Sequence, residues 1–211
     1  MRCSGSAIWR TSRRSRRRSP AATSSLLDAY FDAVVAPITR LGGEVLKFMG
    51  DSVLAVFPLS DDADRSAVHC AALAAAREGI TAVEALNETW AARTHRSIGC
   101  GVALHVGKVS YGNIGAADRL DFTVIGPAVN LAARLEQLTR RVGTRIVLSE
   151  DFASALAETV VLLGEFALKG ISKGQLVFGL PQLTGKPLPP TQRFPSTAAG
   201  LRTDSDIPEA P

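Results

Sequence analysis

The order of two strand–bend–strand patterns around a long Ala-rich stretch constrains this fold more than any other feature of the sequence. The first pattern is GGEVLKFMGDSVLAVFP, Gly42 to Pro58. It predicts strands over Glu44–Met49 and Ser52–Phe57 around a tight turn at Gly50–Asp51. The second is GVALHVGKVSYGNIG, Gly101 to Gly115, whose four glycines suit a hairpin with close backbone approach. It predicts strands over Ile98–Val106 and Val109–Ile114. Asp61–Arg93 between them is amphipathic and reads as a long helix or a broken pair. Upstream, Leu27, Tyr30, Phe31, Val34, Val35 and Ile38 recur at helical spacing. Ser24 or Ser25 is the candidate N-cap, and Gly42–Gly43 is the stop.

Downstream, Phe122–Ile125 reads as a short strand and Ala128–Leu138 as a helix. Arg145–Leu148 is a strand, and Ser149 can cap a short helix from Glu150. Val160–Leu168 and Gln175–Gly179 are closing strands. Helices and hairpins alternate irregularly, without the βαβ rhythm of a parallel sheet. The fold class that follows is α+β, a sandwich with helices on an antiparallel-rich sheet.

The chain of 211 residues, 46% hydrophobic, suits one domain with a sizeable core. No apolar run is long enough to span a bilayer. Cys3, Cys70 and Cys100 are scattered and odd in number, without metal-ligand or disulfide spacing, which fits a reducing, cytoplasmic setting. No histidine cluster suggests a metal. The net charge of +4 is carried by the first residues: seven arginines and no acid lie within residues 1–18. Without them 17 basic residues face 20 acidic ones, and the remainder is mildly acidic. Residues 1–22 show neither period. An arginine cluster can bind nucleic acid, an Arg/Ser-rich start can be a targeting peptide, and a disordered or non-native segment is the reading preferred here, with no nucleic-acid partner. Residues 23–181 are then the folded domain. Residues 182–211 are a Pro-rich flexible tail.

Three segments carry candidate chemistry, each open to a plainer reading. Asp51 at the hairpin bend can bind Mg²⁺, which takes one or two carboxylates plus phosphate oxygens, or it can serve the turn alone. The Gly101–Gly115 segment can cradle phosphate or be a structural hairpin, with His105 packed or hydrogen-bonded on its strand. In LDFTVIGPAVNLAARLEQL, Leu120 to Leu138, Asn130 and Arg134 share a helix face. They can grip a polyphosphate or form a solvated polar surface.

Taken together and in this order, GGEVLKFMGD, GVALHVGKVSYGNIG and FTVIGPAVNLAARLE resemble the class III adenylate and guanylate cyclase catalytic domains, from about Leu26 to Phe178. The resemblance implies a ferredoxin-like nucleotidyl cyclase α/β sandwich working as a head-to-tail homodimer with shared active sites. It implies two Mg²⁺ or Mn²⁺ ions held by two aspartates, of which Asp51 corresponds to the second. Lys47 and Thr123 correspond to the base-recognising pair. Thr123 matches a bacterial-type subgroup with threonine where many members have aspartate. Lysine can donate to adenine N1, and a threonine oxygen can accept from the adenine amino group. Guanylate cyclases typically carry Glu and Cys there, so ATP is the implied substrate. Asn130 corresponds to the ribose-orienting asparagine, Arg134 to the arginine at the α-phosphate and Lys169 to the lysine at the terminal phosphates. The implied reaction is in-line attack of the ribose 3′-oxygen on the α-phosphorus, giving cyclic AMP and pyrophosphate for signalling. A fused sensor domain in a longer parent is compatible with this.

The family opens with a strand bearing the first metal aspartate, in a pattern like D-x-x-G-F-T. Here the Arg/Ser segment stands in its place, so the sequence predicts a missing first strand and a missing carboxylate ligand. With GC-rich codons, a shifted frame from Ala7 can read D-L-A-D-V-A-A-F-T, with aspartate at Thr11. A frameshift or misassigned start accounts for that segment. The rival to an adenylate cyclase is a degenerate cyclase-like module that dimerises and binds nucleotide without turnover.

Overall fold

The computed structural model describes residues 2–15, 23–59, 64–94, 98–116 and 119–181. The elements in chain order are β1 (Arg2–Ser15), α1 (Thr23–Arg40), β2 (Glu44–Met49), β3 (Ser52–Leu59), α2 (Arg65–Thr94), β4 (Ile98–Ala116), β5 (Arg119–Ile125), α3 (Pro127–Val142), β6 (Ile146–Ser149), α4 (Glu150–Ala153), β7 (Val161–Phe166) and β8 (Gln175–Gly179). They build one sheet in the order β2-β3-β1-β4-β6-β8-β7, with β5 pairing β4. Every described pairing is antiparallel except β4 with β6. The α+β, antiparallel-rich sandwich expected from the sequence is the fold observed.

Helices cover both faces. The apolar stripe of α1, through Tyr30, Val34 and Ile38, meets Ala72, Leu73, Ala76, Ile80 and Val83 of α2 over Val53, Ala55, Phe57, Val102 and Leu104. On the opposite face Ile8, Leu54, Val56 and Val109 pack against Ala128 and Ala132 of α3. Leu135 and Leu138 continue that helix over Ala103, Val147 and Val177, each such buried leucine contributing about 1.5–3 kcal/mol. Asn87 of α2 pins the start of β4 by accepting from the Ile98 N–H at 2.6 Å and donating to the Ile98 carbonyl at 2.7 Å.

Two sequence expectations are corrected. Residues 2–15 are neither missing as a strand nor without regular structure. β1 runs between β3 and β4, with Ile8 opposite Val56 and His105 and fully buried. The absence of a period misled because β3 and β4 each present a row of main-chain donors and acceptors that must be paired, and this requirement overrides local propensity. Residues 16–22, the rest of that segment, lie outside the described residues, as does the expected tail, 182–211. The second correction is that Ile98–Ile114 is not a hairpin. β4 runs unbroken through Gly107 to Ala116 and takes β5 as its partner, with Gly112 opposite Thr123. The helix α1 also begins at Thr23, ahead of the two serines expected to cap it.

Candidate active site

The β2–β3 hairpin turns at Gly50, whose φ of +63° lies in the left-handed region that glycine adopts without strain. Asp51 follows it, fully in the turn and exposed. Four residues earlier, β2 carries a bulge: Val45 pairs with Ala55 and Lys47 with Leu54, so Leu46 is extra. A bulge bends the strand and re-aims the next side chain, and here that residue is the half-buried Lys47. The strands β2 and β5 approach one another in the folded chain. Lys47 and Thr123, far apart in sequence, therefore lie on strands that are not paired in the sheet but come into contact in the folded chain.

The helix α3 starts abruptly. Gly126 is its N-cap at φ 152°, a conformation that side chains disfavour, and Pro127 is its first residue, where a missing N–H costs nothing. A Cβ at Gly126 would lie 3.1 Å from the Lys108 carbonyl oxygen. A Cβ at Gly107 would lie 2.4 Å from the Ala128 Cβ. The helix is thus seated directly on the β4 backbone. Its buried stripe is Ala128, Ala132, Leu135 and Leu138. Asn130, exposed, and Arg134, half-buried, follow one another by a turn away from that stripe. Lys169 is exposed beside buried Leu168, which packs in the same cluster as Leu135 and Leu138. Lys169 thus follows directly on a residue of the core cluster that holds the helix carrying Asn130 and Arg134.

His105 lies below the α3 seat, 5% exposed. Its Nδ1 is 2.9 Å from Ser149 Oγ, and the same oxygen accepts from the Phe152 N–H at 3.3 Å to cap α4. Burial lowers the imidazole pKa from 6.5, while the Asp151 carboxylate acts in the opposite sense. With Ser149 Oγ already accepting, its hydroxyl can donate to Nδ1 of a neutral ring. The expected packed, hydrogen-bonded histidine is what the structure shows. Its neighbours leave no local signal: Gly107 and Ala128 meet across distant segments, and nothing local to either marks the contact.

Of the two metal aspartates that the family resemblance implies, only the second has a counterpart among the described residues, Asp51. No group of three or more His, Cys, Asp or Glu residues that could hold a metal occurs among the described residues. The strand β1, which lies beside β3, has no acidic residue in its sequence from Arg2 to Ser15. Among the described residues no helix is long and apolar enough to cross a membrane.

Residues 6–180 match the family model described as the adenylate and guanylate cyclase catalytic domain. An uncharacterized protein of Mycobacterium tuberculosis is 37% identical over 134 residues, covering 64% of this chain and 23% of that protein. Adenylate cyclase 1 of Rhizobium meliloti is 33% identical over 159 residues, covering 74% of this chain and 23% of the relative. The chain thus spans about a quarter of the length of these relatives. A solved bacterial light-regulated adenylyl cyclase superposes with a TM-score of 0.73 at 25% identity, over 87% of this chain and 54% of that one. This chain belongs to the adenylate and guanylate cyclase catalytic domain family.

Proposed function

We propose that this chain is an adenylate cyclase domain, binding ATP between two copies of itself. The observation that carries the reading is the contact between β2 and β5, the strands that bear the two residues of the base-recognising pair, with a bulge just before Lys47. Lys47 donates to adenine N1, and the Thr123 hydroxyl accepts from the 6-amino group; guanine offers the reverse pattern. Asn130 orients the ribose. Arg134 neutralises charge developing at the α-phosphate, a role suited to a fixed guanidinium. Lys169 meets the terminal phosphates. The reaction forms a bond from the ribose 3′-oxygen to the α-phosphorus and breaks the bond to pyrophosphate. That the Rhizobium meliloti relative is named an adenylate cyclase agrees with this reading.

The shared site is supported by surface chemistry. Phe48, 50% exposed, and Ile125, 49% exposed, are large apolar residues on the strands carrying Lys47 and Thr123. A second copy covering them would close the base site from water. Asp51 would contribute its carboxylate to a Mg²⁺ or Mn²⁺ ion shared with nucleotide phosphate oxygens.

A second reading, a cyclase-like module that binds nucleotide without turnover, is favoured by the lack of any acid in β1. The register sets Thr11 opposite Val53, two residues past Asp51. The shifted-frame aspartate at that position would therefore fall beside the hairpin that bears Asp51. The test is cyclic AMP formation from ATP with Mn²⁺, for the chain as it stands and with residues 11–16 replaced by D-V-A-A-F-T. Activity confined to the replaced chain supports a cyclase that lacks its first carboxylate. ATP binding without activity in either chain supports the second reading. Failure of both chains to bind ATP overturns the nucleotide reading.

A further inference from the structure

We infer that His105 is a positioning residue: by holding Ser149 on one side and backing the Gly107–Ala128 contact on the other, it fixes the first turn of α3 on β4 and so aims Asn130 and Arg134. The inference deepens the nucleotide reading above and rests on it.

The geometry is local and specific. The point where a Gly107 Cβ would stand is 2.4 Å from the Ala128 Cβ and 3.1 Å from His105 Nε2. The imidazole therefore borders the same tight volume as the first turn of α3. Its other nitrogen is held by Ser149 Oγ at 2.9 Å. Ser149 ends β6, buried, and caps α4, so the ring is tied to the strand that lies under the second half of α3 through Val147. The ring thus borders the seat of α3 at its start and is anchored to the sheet beneath its later turns. Asn130 and Arg134 leave the helix two and six residues after Ala128. A small tilt of the first turn about Ala128 would move their polar ends the most, and such errors of placement weaken a site built from several convergent groups. Charged groups near the ring are few: Asp151 on α4 acts on it, and the exposed Lys108 follows on its own strand.

The experiment uses the full chain and two readouts. Amide hydrogen exchange is followed without nucleotide, and affinity is measured for a non-hydrolysable ATP analogue with Mn²⁺. In His105→Ala, the amides of residues 129–134 should exchange about tenfold faster, as expected when one buried hydrogen bond is lost. Those of β7 and β8 should be unchanged. Analogue affinity should fall by a similar factor. His105→Asn, which keeps a polar atom near the Nδ1 position, should recover both. Ser149→Ala should reproduce the exchange effect if His105→Ala does not fold. Uniformly faster exchange over the sheet, or unchanged exchange at 129–134 in both folded variants, overturns the inference. If the unmodified chain does not bind the analogue, the nucleotide reading fails on its own, while the exchange data still decide whether His105 sets the seat of α3.

Discussion

The His69 imidazole meets the Phe152 ring edge-on, 5.0 Å between centroids and 79° apart in plane, and neither of its ring nitrogens has a hydrogen-bond partner among the described residues. This contact joins α2 to α4 within the larger core. Burial lowers the His69 pKa from 6.5 and the Arg65 charge lowers it further, while the nearby Arg65 main chain, which meets neither ring nitrogen in hydrogen-bond geometry, acts weakly in the opposite sense. A lowered folded-state pKa means that the unfolded chain takes up the proton first. No penalty exists well above pH 6.5; it develops as pH falls from there towards the folded-state value and is complete below it.

His69→Leu should therefore stabilise the domain modestly at pH 8, by about 1 kcal/mol, through removal of unpaired buried polar atoms. The gain over the unmodified chain should grow between pH 7 and pH 5. Urea unfolding midpoints at the three pH values check this. A difference that stays constant with pH would show that His69 does not titrate on unfolding.

The contact between Gly107 and Ala128 makes a second prediction. The blocking atom is a Cβ on a helix backbone, which no rotamer change can move aside. Gly107→Ala should lift the start of α3, costing about 1–3 kcal/mol as overpacking does. Ala128→Gly in the same chain should restore part of the loss, less the cost of a helical glycine. Thermal unfolding of the two single variants and the pair gives the coupling directly. Simple additivity of the two losses would contradict the seating described for α3.

These contacts also show which features the sequence revealed. The β2–β3 hairpin was legible because its strands are apolar and its bend carries Gly50–Asp51. The helix α3 was legible because Val129, Leu131, Ala132 and Leu135 keep a helical period after a Gly-Pro start. The strand β1 was not legible, because its place follows from the unpaired edges of β3 and β4 and not from its own Arg- and Ser-rich residues. Nor was the continuity of β4. Gly107 looks like a bend, yet its smallness serves the approach of Ala128, twenty-one residues away. The candidate residues were legible by motif. The approach of β2 to β5, and the sharing of a core cluster by Leu168 and α3, are long-range and appear only once the chain is folded.

Phe48 packs edge-on against Phe31, 4.8 Å between ring centroids, yet half of it faces solvent, as does Ile125. If a second copy covers both, Ile125→Glu should weaken self-association at least tenfold, since a carboxylate in an apolar interface is strongly disfavoured. The monomer fold should survive, because Ile125 is outside the three core clusters. Sedimentation velocity over a concentration series measures the change, with circular dichroism as the fold control. Unaltered association would place the interface elsewhere.

The proposed base-recognising pair, Lys47 and Thr123, makes a prediction about choice of nucleotide. Glutamate accepts where lysine donates, so Lys47→Glu combined with Thr123→Cys should reverse the ranking of ATP and GTP analogues. Each single change should weaken ATP binding by about 1–3 kcal/mol, the cost of an unpaired polar group in a closed site. Competitive binding of the two analogues measures the ranking. If ATP and GTP analogues keep the same ratio in all variants, Lys47 and Thr123 do not read the base.

Lys47 and Asp51 stand four residues apart on one hairpin, yet the proposed head-to-tail dimer would assign them to different active sites. In the chain carrying D-V-A-A-F-T at residues 11–16, Lys47→Ala and Asp51→Ala should each abolish activity alone. Mixing the two should restore it, because one site of a mixed dimer takes Asp51 from the first variant and Lys47 from the second. That site is whole, while the other lacks both. Random pairing makes half of the dimers mixed, each with one working site of two, so recovery should approach about a quarter of the unmutated level. Refolding the variants together and assaying cyclic AMP formation measures the recovery. A mixture as inactive as its parts, with mixed dimers demonstrated, would mean that both residues serve one and the same site.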